Sequence, residues 1–101
     1  IEIIAMTLIG HAGETKSLAY QAMNAAKEGK FDEAEKFLKQ STEEMLKAHE
    51  LQTDLIVREA GGEKMEVGLI MVHSQDHLMT AILFKELAKE FIEVYKRLEQ
   101  K

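Results

Sequence analysis

The sequence predicts an all-α fold. It has no proline, only six glycines in 101 residues, and an abundance of Ala, Leu, Met, Glu, Lys and Gln, the residues that favour helix. Its long stretches place apolar residues at alternating three- and four-residue steps, which trace one face of a helix. With 46% hydrophobic and 31% charged residues the chain can build a core and stay soluble, and residues 1–101 read as a single domain.

The first helix is expected over about residues 1–28. Ile1, Ile4, Leu8, Ala12, Thr15, Ala19, Ala22 and Ala26 form its inner stripe, with Gly29 placed to end it as a C′ residue and Lys27 suiting the dipole. Gly10 and Gly13 lie inside this helix, where they cost stability unless a neighbour approaches closely or the helix bends. The second helix is expected over about 32–60. Asp32 followed by Glu35 reads as a capping box, and Ala34, Leu38, Ser41, Met45, Ala48, Gln52 and Leu55 make the inner stripe, widened by Phe37 and Leu51. Gly61-Gly62 should stop it, and the short Gly29-Lys30-Phe31 link makes the first two helices an antiparallel hairpin. Met65 to Val72 is apolar and β-branched enough for a strand, but the helical period runs unbroken to Leu98. A third helix over about 67–99, starting at Val67 or Gly68, completes an antiparallel three-helix bundle.

A net charge of −5 with no dense basic cluster argues against nucleic acid as a partner. The absence of cysteine removes disulfides, thiolate metal sites and cysteine nucleophiles, and is compatible with the cytoplasm. The apolar runs Ile3–Ile9 and Val67–Val72 are far shorter than the ~20 residues of a membrane span. No signal-peptide pattern is seen in a chain that starts at Ile1 rather than Met.

One charge is out of place. At ~100° per residue, Leu69, Val72, Leu83, Leu87, Val94 and Leu98 all fall within roughly 40° of Asp76 on the third helix. A carboxylate buried on that stripe must be neutralised, coordinated or hydrogen-bonded. Two readings stand: Asp76 escapes to solvent near the helix start or acts as a late N-cap, or it sits at an oligomer interface where copies converge on a cation or shared protons. His73 lies at the edge of the same stripe and His77 one turn later, with Gln75 and Asp76 between them. A His/His/Asp zinc site, a nucleophilic imidazole acting on phosphorus, and two packing histidines all fit this spacing. Ser74 stands where the zinc-protease motif needs glutamate. His11 and His49 read as surface or interhelical hydrogen-bonding residues, the six methionines as packing, and the run Lys85-Glu86, Lys89-Glu90, Glu93, Lys96-Arg97 as a solvated face.

The stretch Val72-His73-Ser74-Gln75-Asp76-His77-Leu78-Met79-Thr80 resembles the phosphorylation-site segment of the enzyme IIA family for lactose and for cellobiose or diacetylchitobiose, in the bacterial phosphoenolpyruvate-dependent sugar phosphotransferase system. Leu8-Ile9, Gly13 and Lys16-Ser17-Leu18-Ala19-Tyr20 agree with it, as does Ala48-His49-Glu50-Leu51-Gln52-Thr53, so the resemblance covers nearly the whole chain. It implies a three-helix protomer assembling into a nine-helix homotrimer. It implies that His73 accepts a phosphoryl group through Nε2 from the phosphocarrier protein HPr and passes it to a cysteine of enzyme IIB. It places Asp76 at the trimer axis, where a divalent cation, expected to be magnesium, can be held among subunits. Gln75 and His77 are expected to line the same site. Ser74 replaces the usual alanine or glycine, and Lys16 the usual arginine, which puts any phosphate-contacting role at that position in doubt.

Transfer to His73 adds roughly two negative charges at neutral pH, which Gln75, Ser74 or a protonated His77 could hold. Docking is expected on a small apolar surface around His73. The Val-His-Ser form leans toward cellobiose or chitobiose rather than lactose. The rivals are a helical protein-interaction module, suggested by the hairpin around Gly29 and Phe31 but lacking a second copy, and a two-component histidine phosphotransfer domain.

Overall fold

In the computed structural model, which describes residues 2–100, three helices follow one another: α1 (Glu2–Lys27), α2 (Phe31–Ala60) and α3 (Leu69–Glu99). Ile1, expected to begin the first inner stripe, lies outside the described residues. The bundle is a rod of 57 × 19 × 17 Å in which α1 packs along both other helices and these touch each other much less.

Both connections use the same backbone device. After α1 the N–H of Gly29 bonds the Ala26 carbonyl (3.0 Å) and the N–H of Lys30 bonds the Ala25 carbonyl (2.9 Å). After α2, Gly62 bonds Glu59 (3.0 Å) and Glu63 bonds Arg58 (3.1 Å) in the same pattern. These are Schellman motifs, and each needs a left-handed residue at C′: Gly29 has φ +79° and Gly62 φ +99°. The expected stops at Gly29 and Gly61-Gly62 are therefore found.

The start of α2 differs from expectation. Asp32 and Glu35 do not form a capping box: the helix begins one residue earlier, Lys30 occupies the N-cap, and no side chain caps it. Asp32 still lies in the first turn, where the dipole favours an anion, while Glu35 reaches instead across to Lys96 of α3 at 2.9 Å. α3 starts at Leu69 with extended Gly68 as its N-cap, so Val67 belongs to the preceding loop. Met65 from that loop turns in against the core.

The core is built mainly from small residues. Among the described residues, ten of the fifteen buried hydrophobic ones are alanines, from Ala5 and Ala12 through Ala19, Ala22, Ala25 and Ala26 to Ala81 and Ala88. One cluster gathers Leu8, Ala12, Ala48, Leu55, Leu78 and Ala81, and the other Ala22, Ala25, Ala26, Ala34 and Ile92. Thr15 and Ser41 are also fully buried, and Ser41 Oγ donates to the Thr15 carbonyl at 2.7 Å, tying α2 to α1. Tyr20 of α1 stacks on Phe84 of α3 with ring centroids 6.2 Å apart.

α3 differs most from its sequence reading. Its inward face is Ser74, Leu78, Ala81, Lys85, Ala88 and Ile92. Lys85, expected on a solvated face, is only 8% exposed and meets Glu86 at 3.2 Å. Its position one turn from both Ala81 and Ala88 lays its stem on the core face while the ammonium finds the adjacent carboxylate. The apolar stripe through Asp76 faces outward, with Leu69 84% and Leu83 60% exposed and Val72, Leu87, Val94 and Leu98 close behind.

Two glycine-to-alanine replacements should have opposite signs. Gly29→Ala forces a left-handed alanine and should cost about 1–2 kcal/mol in urea unfolding. Gly10→Ala, with nothing within 4 Å of the added Cβ, should gain about 0.5–1 kcal/mol as an ordinary helix-interior change. Destabilisation by the latter would mean that a neighbouring copy closes on Gly10.

Candidate functional site

His73, Asp76 and His77 stand on one turn of α3, spaced i, i+3 and i+4, as the helical period requires. Asp76 is two turns inside the helix, so it is no N-cap, and in the single chain its side chain is 61% exposed. Its Oδ1 lies 3.2 Å from His73 Nδ1, and the His73 side chain is itself 56% exposed. The carboxylate therefore faces one edge of the ring and leaves Nε2, the opposite nitrogen, unengaged by it. His77 stacks on His73 with centroids 5.3 Å apart and planes 26° apart.

His77 is half-buried against α1. Lys16 Nζ donates to His77 Nδ1 at 3.1 Å, and Gly13 leaves room for the ring, since a Cβ there would lie 3.4 Å from Nε2. Burial, then the Lys16 ammonium, then His73 lower the pKa of His77 below its usual 6.5, with Asp76 opposing them. These causes disfavour the protonated ring that was expected as a donor; in the neutral ring a lysine, which only donates, makes Nδ1 the acceptor and leaves the proton on Nε2.

Two other expected donors turn elsewhere. Gln75 does not line the His73 face, because its position is most of a half-turn away; its Oε1 accepts from Gln52 Nε2 at 2.7 Å, on the side of α2. Ser74 is buried and donates to the Met71 carbonyl at 2.6 Å. His11 bridges α1 to α2 through Glu44 at 2.6 Å, and with Lys47 it holds that carboxyl below its usual range. His49 is exposed on α2.

The residue least anticipated is Lys16. Its sequence position beside the stripe residue Thr15 carries no signal of a partner on α3. Gln75 was more legible, because Gln52 is a polar residue on the inner stripe of α2 and such a residue calls for a polar partner. Among the described residues, no group of three or more His, Asp or Glu side chains could hold a metal ion. One Asp76 carboxylate with an imidazole beside it does not make a divalent-cation site within a single chain. Beside His73, a shallow depression of about 370 Å³ is lined by Ile9, Leu69, Ile70, Val72, His73 and Asp76. Among the described residues, no helix is long and apolar enough to cross a membrane.

The family described as "PTS system, Lactose/Cellobiose specific IIA subunit" matches residues 3–96. The chain is 48% identical over 100 residues to the lichenan-specific phosphotransferase enzyme IIA component of Bacillus subtilis, covering 99% of this chain and 91% of that protein. Among solved structures it is similar to the cellobiose-specific enzyme IIA from Bacillus anthracis, with TM-score 0.96 and 47% identity over 97% of this chain and 90% of the other. It is also similar to a chain of the IIA(chitobiose)–HPr complex of the N,N'-diacetylchitobiose branch of the Escherichia coli phosphotransferase system. There the TM-score is 0.85 and the identity 44%, over 97% of this chain and 95% of the other.

A histidine whose pKa is lower in the folded than in the unfolded chain gives a defined pH response. The unfolded chain binds more protons as pH falls below 6.5, so this group's contribution to stability is present above that value and is lost on acidification. In an NMR titration the His77 ring should show a midpoint below 6.5, and a midpoint above it would contradict the packing described.

Proposed function

The chain belongs to the lactose/cellobiose-specific IIA subunit family of the phosphotransferase system, and on that premise we propose that it is a phosphocarrier whose acceptor is His73. The observation that carries the assignment is the state of its imidazole: exposed, with Nδ1 against the Asp76 carboxylate and Nε2 unengaged by it. His11 and His77 are each committed to an interhelical partner, Glu44 and Lys16 respectively. A family match over residues 3–96 favours this reading over a helical interaction module or a two-component phosphotransfer domain.

HPr is the proposed donor, as in the complex with the similar IIA(chitobiose). With its proton on Nδ1 facing Asp76, His73 offers the Nε2 lone pair to phosphorus. The new Nε2–P bond forms in line as the N–P bond on the donor histidine breaks, and that electron pair stays on the donor nitrogen. The loaded imidazole keeps its Nδ1 proton, and Asp76 stabilises the positive charge on that edge. Transfer onward to a cysteine thiolate of enzyme IIB reverses these steps and restores neutral His73. Docking uses the Ile9 and Ile70 side of the apolar depression beside His73, off the stripe that carries Val72 and Asp76 and small enough to release a partner quickly. The sugar served by the relay is of the cellobiose, chitobiose or lactose type.

The working unit is proposed to be a homotrimer. Val72/Asp76, Leu83/Leu87 and Val94/Leu98 repeat every eleven residues along the exposed stripe. An eleven-residue repeat keeps one line of a nearly straight helix facing its neighbours, which suits parallel α3 helices from several copies around an axis. Such an assembly gathers the Asp76 carboxylates, and a divalent cation, magnesium by expectation, would offset their repulsion there.

His73→Ala should abolish labelling by phospho-HPr while the circular dichroism stays helical; label retained on the variant would refute the assignment. Asp76→Leu should leave a folded, trimeric protein that dissociates less readily in sedimentation, because the mutual repulsion is gone. Dissociation to monomers would show instead that a bound cation holds the assembly together.

A further inference from the structure

The histidine pair has a side that the transfer chemistry alone does not explain. His77 is, besides Asp76, the polar side chain of the motif that remains next to His73 once Ser74 has turned to the Met71 carbonyl and Gln75 to Gln52. A neutral imidazole carries one proton on either nitrogen, and what bonds the second nitrogen decides which. At His77 that partner is Lys16, 3.1 Å from Nδ1, while the ring's other edge lies over Gly13. His73 and Asp76 on its own helix complete the surroundings of the ring.

We propose that Lys16 is a positioning residue of the transfer site: by donating to Nδ1 it fixes His77 as the Nε2–H tautomer, so that the ring stacked on His73 presents a proton rather than a lone pair at its Nε2 edge, beside Gly13. The proposal rests on His73 being the acceptor. An ammonium is well suited to the task, because it has three donors and no acceptor and so permits only one tautomer in its partner. It also places a positive charge behind the ring, which strengthens the remaining N–H as a donor toward an anion. An arginine could do the same, since it too only donates; methionine could not.

The test is ring-nitrogen NMR of the protein in mildly alkaline solution, where imidazoles are neutral. The unchanged protein should show a protonated Nε2 and a bare Nδ1 at His77, Lys16→Met a mixture of tautomers, and Lys16→Arg the original pattern. After loading by phospho-HPr, K16M should still carry label on His73 but lose it to water about three- to tenfold faster, with K16R restoring the lifetime. A protonated Nδ1 in the unchanged protein, or a K16M variant with the same ring signals and the same label lifetime, would overturn the proposal. Absence of label from His73 in every variant would instead refute the acceptor assignment, and the tautomer measurement on unloaded protein would still judge Lys16.

Discussion

The small side chains on α1 are the constraint from which the rest of the molecule follows. Ala5, Ala12, Ala19, Ala22 and Ala26 fill the positions that face α2 and α3, with Thr15 fully buried among them. Such a face lets helices pack closely but leaves room for few large side chains between them. Many large apolar residues of α3 are therefore displaced outward: Leu69, Leu83, Leu87, Phe91, Val94 and Leu98 all remain exposed on one chain, while Leu78 and Ile92 stay inside. A thin core and an apolar outer stripe are complementary consequences of one sequence choice. Together they make the bundle a component suited to self-association, because a small core alone gives a domain of this size little margin.

The proposed transfer site sits where these two faces of α3 meet. His73 and Asp76 belong to the outward side, and His77 leans inward onto Gly13 and Lys16. This placement links two roles that the sequence kept apart. Asp76 lies on the stripe proposed to join copies, yet its carboxylate is also the group facing His73 Nδ1 at 3.2 Å. The same charge that would be repelled by its copies across an interface is partly balanced by the imidazole beside it, more so when that ring carries a positive charge.

Much of this was legible in the sequence, for definite reasons. The inner stripes of α1 and α2 were readable because apolar residues recur there at helical steps, and Gly29 and Gly61-Gly62 marked the ends because only glycine readily adopts the left-handed C′ conformation. Glu35 was misread because local spacing suggested a cap while a cation on α3 outcompeted it. Lys85 was misread because a charged residue within a charged run looks solvated, whatever its stem covers. The apolar stripe of α3 was read correctly as a stripe, but periodicity does not say whether a stripe faces its own chain or another. Lys16 was invisible as a partner of His77, since contacts between α1 and α3 depend on the rotation of two helices about their axes.

The family gives the molecule its context, and the proposed reading gives the chemistry a direction: Nδ1 of His73 faces a carboxylate, and Nε2 is the nitrogen proposed to react. The most direct measurement is nitrogen–phosphorus coupling in the isotope-labelled protein after loading by phospho-HPr. The account predicts a one-bond coupling to Nε2 of His73 with the Nδ1 proton retained. Coupling to Nδ1 of His73, or to any nitrogen of His11, His49 or His77, would contradict it.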